Sequence, residues 1–265
     1  SDLKEKGQKV LVVGGGPGGM YSALTAAERG HRVTLMDHRE KLGGTLWYTS
    51  YDCHKDDMRK FRDHLANRVY RAGVDVQLGV TVTKETIELF NPDVVILAIG
   101  GRPIAPRIPG LHEYAKYALN AYTETPGKKC VMIGGGLVSV EIAMHLGDTG
   151  HDVEVVEMLD DYCRDALPSH KEAIRLMKPK SMQIHCSTRV TEVTPNGVKA
   201  IDPEGNEVFF EADSIYYALG FRAPTDELAE LRSVCARTAV IGDCLKPARI
   251  LQATRDGMFA ALNII

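Results

Sequence analysis

The chain has 265 residues, 44% hydrophobic, 25% charged and 6% aromatic, which excludes disordered and collagen-like chains and allows one large domain or two of ordinary size. With 32 Lys and Arg against 35 Asp and Glu the net charge is -3, and no basic block favours nucleic acid or an anionic membrane as a partner. The apolar stretches, such as 10–13 and 94–99, are shorter than the roughly 18 residues of a membrane span and no signal peptide leads into the first, so a soluble, cytoplasmic protein is expected.

In chain order, residues 10–37 read as an apolar strand, a Gly-rich turn, an amphipathic helix, a Gly-His turn and a second apolar strand ending in a carboxylate. Residues 41–45 form a turn, 55–72 show helical spacing at Met58, Phe61, Leu65 and Val69, and 74–78 and 94–99 read as buried strands. Pro103, Pro106 and Pro109 then break regularity and mark a domain junction. Residues 130–157 repeat 10–37 without a gap at an offset of 120, so a second βαβ unit is expected. A helix at 169–177 follows, then an antiparallel meander whose turns are Pro195-Asn196-Gly197 and Pro203-Glu204-Gly205. Strands at 214–219 and 239–241 and a helix over 248–265 close the chain. The last segment is too short for a third domain and is expected to return to the first. The expected fold is therefore α/β, with two Rossmann-like three-layer dinucleotide-binding domains, the second inserted in the first. The first would span 1–106 and 212–265, the second 107–211.

The glycine spacing has a physical reading. Gly14 makes the tight turn leaving the strand, Gly16 lets the backbone approach a pyrophosphate, and Gly19 lets the helix pack close on the sheet. The unpaired amides and positive dipole end of the helix N-terminus favour the phosphates. Asp37, 18 residues after Gly19, ends the second strand where a carboxylate can accept from an adenosine ribose. The second copy carries Gly134 and Gly136, has Ser139 where glycine is usual, and places Glu157 at the same spacing. A glycine turn that serves packing alone, or an empty second site, is the competing reading. Glu157 accepts from a 2'-hydroxyl and repels a 2'-phosphate, and the following Met158, Leu159, Asp160 and Asp161 supply no cation, which favours a dinucleotide with a free 2'-hydroxyl, NADH over NADPH if the pair is a nicotinamide one.

These residues resemble the flavoprotein reductases with two dinucleotide-binding domains. More narrowly, they are similar to the C-terminal half of the multidomain flavoproteins that include 2,4-dienoyl-CoA reductase, trimethylamine dehydrogenase and clostridial enoate reductases. The resemblance rests on GGGPGG at 14–19, DHREKLGGTL at 37–46, PDVVILAIGGRP at 92–103, GGGLVSVEIA at 134–143, ALGFRAP at 218–224 and IGDCLKPARILQATRDG at 241–257. It implies FAD in the first domain, with ADP as the alternative occupant, and NADH in the second. The implied FAD residues are Gly14, Gly16, Pro17, Gly18, Gly19, Asp37, His38, Arg39, Gly44, Thr45, Val82, Ala98, Gly100, Arg102, Gly242, Asp243, Ile250 and Leu251. For NAD they are Gly134, Gly136, Leu137, Val138, Ser139, Glu157 and Gly220. The sequence departs from the family at Ile99, where threonine is usual, and at Ser139. Taken alone, Gly242-Asp243 is a strand end with a helix cap.

The resemblance further implies an NADH-dependent flavin oxidoreductase module that passes electrons to a partner domain or protein. Family members carry FMN and an iron-sulfur cluster in an N-terminal half that is not encoded here, and the start at Ser1 fits a piece of a longer chain. The alternatives are a non-catalytic module holding ADP or FAD, and a free-standing ferredoxin-type reductase. Cysteines at 53, 130, 163, 186, 235 and 244 include no C-x-x-C or C-x4-C, against a disulfide framework, a zinc site or a disulfide-reductase pair. Cys53 is the candidate redox thiol, with a surface-loop thiol as the competing reading. Trp47, Tyr48 and Tyr51 are read as a loop over the core rather than a flavin stack. The nine histidines show no metal spacing.

Overall fold

The computed structural model describes residues 7–52 and 54–264; the candidate thiol of Cys53 lies outside them. The first unit begins with β1 (Lys9–Val13), α1 (Pro17–Glu28) and β2 (Arg32–Asp37). After a 3-10 helix at Gly44–Ser50 come α2 (Asp56–Arg71), β3 (Asp75–Leu78), α3 (Lys84–Phe90) and β4 (Val94–Leu97). A short β5 (Arg102–Pro103) leads to α4 (Leu111–Tyr114), β6 (Lys116–Tyr117), β7 (Lys129–Ile133), α5 (Leu137–Asp148) and β8 (Asp152–Val156). Then follow α6 (Pro168–Met177), β9 (Met182–His185), β10 (Arg189–Thr194), β11 (Gly197–Ile201), β12 (Glu207–Glu211) and β13 (Ser214–Tyr217). The chain ends with β14 (Phe221–Arg222), α7 (Thr225–Arg232), β15 (Thr238–Val240) and α8 (Ile250–Leu262).

One compact unit comprises residues 1–102 and 221–265, the other 103–220. The expected boundary at 211/212 is therefore corrected. Strand β13 pairs in parallel with β7, from Ser214 against Cys130 to Tyr217 against Ile133, and so belongs to the second sheet. The expected turn at 41–45 likewise runs on into the 3-10 helix that carries Trp47.

In the first unit five parallel strands lie in the order β15-β4-β1-β2-β3. Such a sheet is covered on both faces, so its inner strands are apolar from Val10 to Val13 and from Val94 to Leu97 and alternate residues serve opposite layers, whereas the edge strand β3, expected to be buried, carries Asp75 and Gln77 and is only partly covered. Val10 and Val12 join Met20, Leu24, Leu35, Leu65 and Ile96 on one side, whereas Leu11 and Val13 join Ile87, Val95, Leu97, Leu228 and Leu231 on the other. Helices α1 and α8 meet through residues without side chains: a Cβ on Gly257 would stand 2.3 Å from the Gly18 carbonyl oxygen. In the second unit the order is β6-β13-β7-β8-β9, again parallel. The antiparallel meander β10-β11-β12 packs Val193, Val198 and Ala200 against Val131, Ile133, Val156 and Ile215 of this sheet.

The offset of 120 extends beyond the two βαβ units. Asp93 accepts from the Lys9 amide at 2.7 Å and Asp213 from the Lys129 amide at 2.8 Å. The Ala98 amide donates to Val13 at 2.8 Å and the Ala218 amide to Ile133 at 3.0 Å. Each sheet therefore presents the carboxyl ends of its strands, the edge at which α/β folds bind ligands, in the same way.

Candidate functional site: two glycine cradles

In the first cradle the residues expected to bind one cofactor turn out to have separate physical tasks. Gly14 has φ +107, and a Cβ there would lie 2.3 Å from the Ala98 oxygen, so this position tolerates glycine alone. A Cβ on Gly19 would lie 1.8 Å from the Gly14 oxygen, and one on Gly18 would lie 3.0 Å from the Ala253 oxygen; both residues serve close packing of α1. Gly16 differs, because a Cβ there would meet nothing nearer than the Gly44 Cα at 4.0 Å. It is also the N-cap of α1, with no side chain capping it and Pro17 at the first turn. An uncapped helix start beside an open glycine is a cradle that suits an anion such as a diphosphate.

Asp37 is 5% exposed and fully engaged with backbone. One oxygen accepts from the Gly15 amide at 2.5 Å, the other from the Arg39 amide at 2.7 Å. Each carboxylate oxygen still has a lone pair for a sugar hydroxyl. His38 is exposed 3.5 Å from Asp37, and Arg39 donates to the Gly44 carbonyl at 3.3 Å. The loop closes on the turn through the Gly43 amide, which donates to the Gly15 carbonyl at 2.8 Å. Thr45 is exposed beside it, and Val82, Ala98, Gly100, Gly242 and Asp243 follow β3, β4 and β15 at the same carboxyl edge. Burial raises the Asp243 carboxyl above its ordinary value, while a hydrogen bond from the Ala248 amide at 3.1 Å acts against this. Arg102 is engaged by Glu227 at 2.5 Å and the Ile99 carbonyl at 3.1 Å, leaving part of its donor set for a ligand. Ile250 is partly buried, whereas Leu251 is 78% exposed.

The second cradle repeats these bonds. Glu157, 8% exposed, accepts from the Gly135 amide at 2.5 Å and the Leu159 amide at 2.7 Å. Gly134 has φ +100, with the Ala218 oxygen 2.5 Å from a virtual Cβ. Ser139 is completely buried and its hydroxyl donates to the Gly134 carbonyl, so the replacement for glycine is accommodated by a hydrogen bond. Leu137 and Val138 open α5, and Gly220 is exposed with φ +95. The Cys163 amide closes this loop on Gly135 at 2.7 Å, the counterpart of Gly43 on Gly15. Sequence reading did not identify Asp165, whose carboxylate accepts from the Leu137 amide at 3.0 and 3.3 Å. The signal was available: Asp165 lies 120 residues after Thr45.

The described cysteines are all unbridged. Burial pushes the thiol of Cys130 up to about 11 and that of Cys163 up to about 12, and raises Cys186 and Cys244 as well, so none of these four is a ready thiolate nucleophile. Trp47 donates to the Leu42 carbonyl at 2.6 Å, and its ring lies 3.8 Å from the Arg62 guanidinium. One ring face is therefore covered from within the unit. Among the described residues no group of three or more His, Cys, Asp or Glu could hold a metal, and no helix is long and apolar enough to cross a membrane.

Two parallel sheets, each with a glycine turn opening on a helix N-terminus and a carboxylate ending the neighbouring strand, define a tandem dinucleotide-binding protein. The chain belongs to the pyridine nucleotide-disulphide oxidoreductase family, whose model matches residues 8–260. It is 38% identical to an NADH oxidase of Thermoanaerobacter brockii, over 97% of this chain and 41% of that protein. It is 33% identical to a cinnamate reductase of Clostridium sporogenes, over 98% and 40%. A 2-naphthoyl-CoA reductase structure superposes with a TM-score of 0.93 at 28% identity, covering 98% of this chain and 40% of that one. The chain thus spans about two fifths of the length of these relatives, and its likeness to the reductase portion of enoate-reductase-like flavoenzymes is established. The family uses flavin and pyridine nucleotide; the open Gly16 and uncapped start of α1 suit the diphosphate of such a group, whereas at the start of α5 the Leu137 amide is taken by Asp165.

Proposed function

We propose that this chain is the FAD- and NADH-binding reductase portion of a larger flavoenzyme, acting in the cytoplasm. Gly16 carries this reading, because it has room for a Cβ and is nevertheless glycine at an uncapped helix start. NADH would supply a hydride, two electrons, to the flavin when both are bound. The residues of this chain bind and orient. The amides at the start of α1 would hold the diphosphate, Asp37 would accept from the ribose, and the loops carrying Ala98, Gly100, Asp243 and Ile250 would line the edge beside them. In the second unit Glu157 and the acidic Asp160 and Asp161 favour a free 2'-hydroxyl, hence NADH over NADPH. Electrons leave toward an acceptor domain or protein, since the sequence has no C-x-x-C pair and burial raises the thiols of Cys130, Cys163, Cys186 and Cys244.

The purified chain should show flavin absorption that bleaches with anaerobic NADH, at a lower KM than for NADPH. Bound nucleotide without bleaching would instead establish a holding module. Asp165 at the second helix start favours that second reading, because it introduces a negative charge where a dinucleotide needs a positive end.

A further inference from the structure

We propose that Asp165 is a built-in competitor for the second cradle, a carboxylate that a pyridine dinucleotide must displace before its diphosphate can reach the start of α5. This inference rests on the reading of the second unit as the NADH site. Helix α5 has 12 residues and Gly136 as its N-cap. The Leu137 amide points at the Asp165 carboxylate, and a Cβ on Gly136 would find the Asp165 oxygens at 3.8 and 3.9 Å as its nearest neighbours. The space over the open glycine, which a diphosphate would use, is thus bordered by a side chain that already carries an anion.

The first cradle lacks both halves of this arrangement. Pro17, at the position of Leu137, has no amide hydrogen to offer, and Thr45, at the position of Asp165, has no charge. The loop carrying Asp165 is fixed at its base. The Cys163 amide bonds the Gly135 carbonyl at 2.7 Å, and Cys163 adopts a left-handed φ of +49. Asp165 itself is exposed, so its carboxylate and an incoming diphosphate would contend for the same Leu137 amide.

The test titrates the full chain with NADH, ADP-ribose and adenosine by calorimetry, comparing the wild type with Asp165→Asn and Asp165→Ala. Loss of a competing cap corresponds to NADH and ADP-ribose binding about three- to thirtyfold tighter, with adenosine unchanged because it has no phosphate. Gly136→Ala added to Asp165→Ala should abolish the gain and so assign it to the second cradle. Thermal melts establish that each variant is folded. Unchanged or weaker binding of NADH by folded variants overturns the proposal and leaves the NADH site standing. Binding by neither wild type nor variants overturns both. Binding only by the variants supports the competitor and shows the wild-type cradle to be closed by it.

Discussion

The two cradles share a backbone and differ in what stands over it. In both, the first glycine has positive φ against the carbonyl of an alanine, and an acid from the next strand accepts from the second glycine's amide at 2.5 Å. The first keeps Gly19 under the helix and an uncharged threonine beside the helix start; the second has a hydrogen-bonded Ser139 and Asp165. Backbone geometry is retained where main chain meets main chain. Side chains diverge at the open edge, where solvent or ligand is the neighbour, so the two units need not have equal affinity for a dinucleotide.

The comparison breaks most completely at the turn glycines. Gly14→Ala should destabilise the first unit by about 3 kcal/mol or more, the sum of left-handed strain and overpacking against the Ala98 carbonyl. Urea unfolding measures it, and Gly134→Ala should do the same to the second unit. Gly16→Ala has the opposite profile: Tm within about 2 °C of wild type and flavin absorption lost, with at least about tenfold weaker FAD binding. A variant that keeps its flavin would remove Gly16 from the site.

Next in size is Glu157→Ala, which leaves the Gly135 and Leu159 amides without their carboxylate partner. About 1–3 kcal/mol of stability should be lost, together with the preference for NADH over NADPH, read from denaturation and from the ratio of kcat/KM values. The smallest effect concerns His31. Burial, then Arg29 and Arg237, lowers its pKa, and its Nδ1 accepts from the Gln8 amide at 3.2 Å, a bond that only the unprotonated nitrogen can make. The unfolded chain then binds more protons below the ordinary value of about 6.5, so stability falls as pH drops through it. His31→Gln should flatten that dependence, read from urea unfolding between pH 7 and 5, and an unchanged dependence would assign the acid sensitivity to other groups.

Much of this was legible because repeat spacing and apolar periodicity report on the backbone. The βαβ units, the acids at Asp37 and Glu157 and the meander follow from local pattern. The boundary falls after Gly220 rather than at 211/212 because the repeat extends past 10–37 to 94–98 and 214–218, where the strand beside the glycine turn sits in each unit. The contact of Trp47 with Arg62, 15 residues on, is one that no local pattern in the sequence announces.

The sequence by itself determined the two βαβ units and the carboxylates that end their second strands, since each depends on neighbours a few residues away, but not the helices at Lys84–Phe90 and Thr225–Arg232 or the partial exposure of the edge strand Asp75–Leu78. Only the tertiary structure separated Gly16 from the glycines that serve packing, and placed Asp165 on the Leu137 amide. Those distinctions depend on which atoms, remote in the chain, fill or leave empty the space above a backbone position.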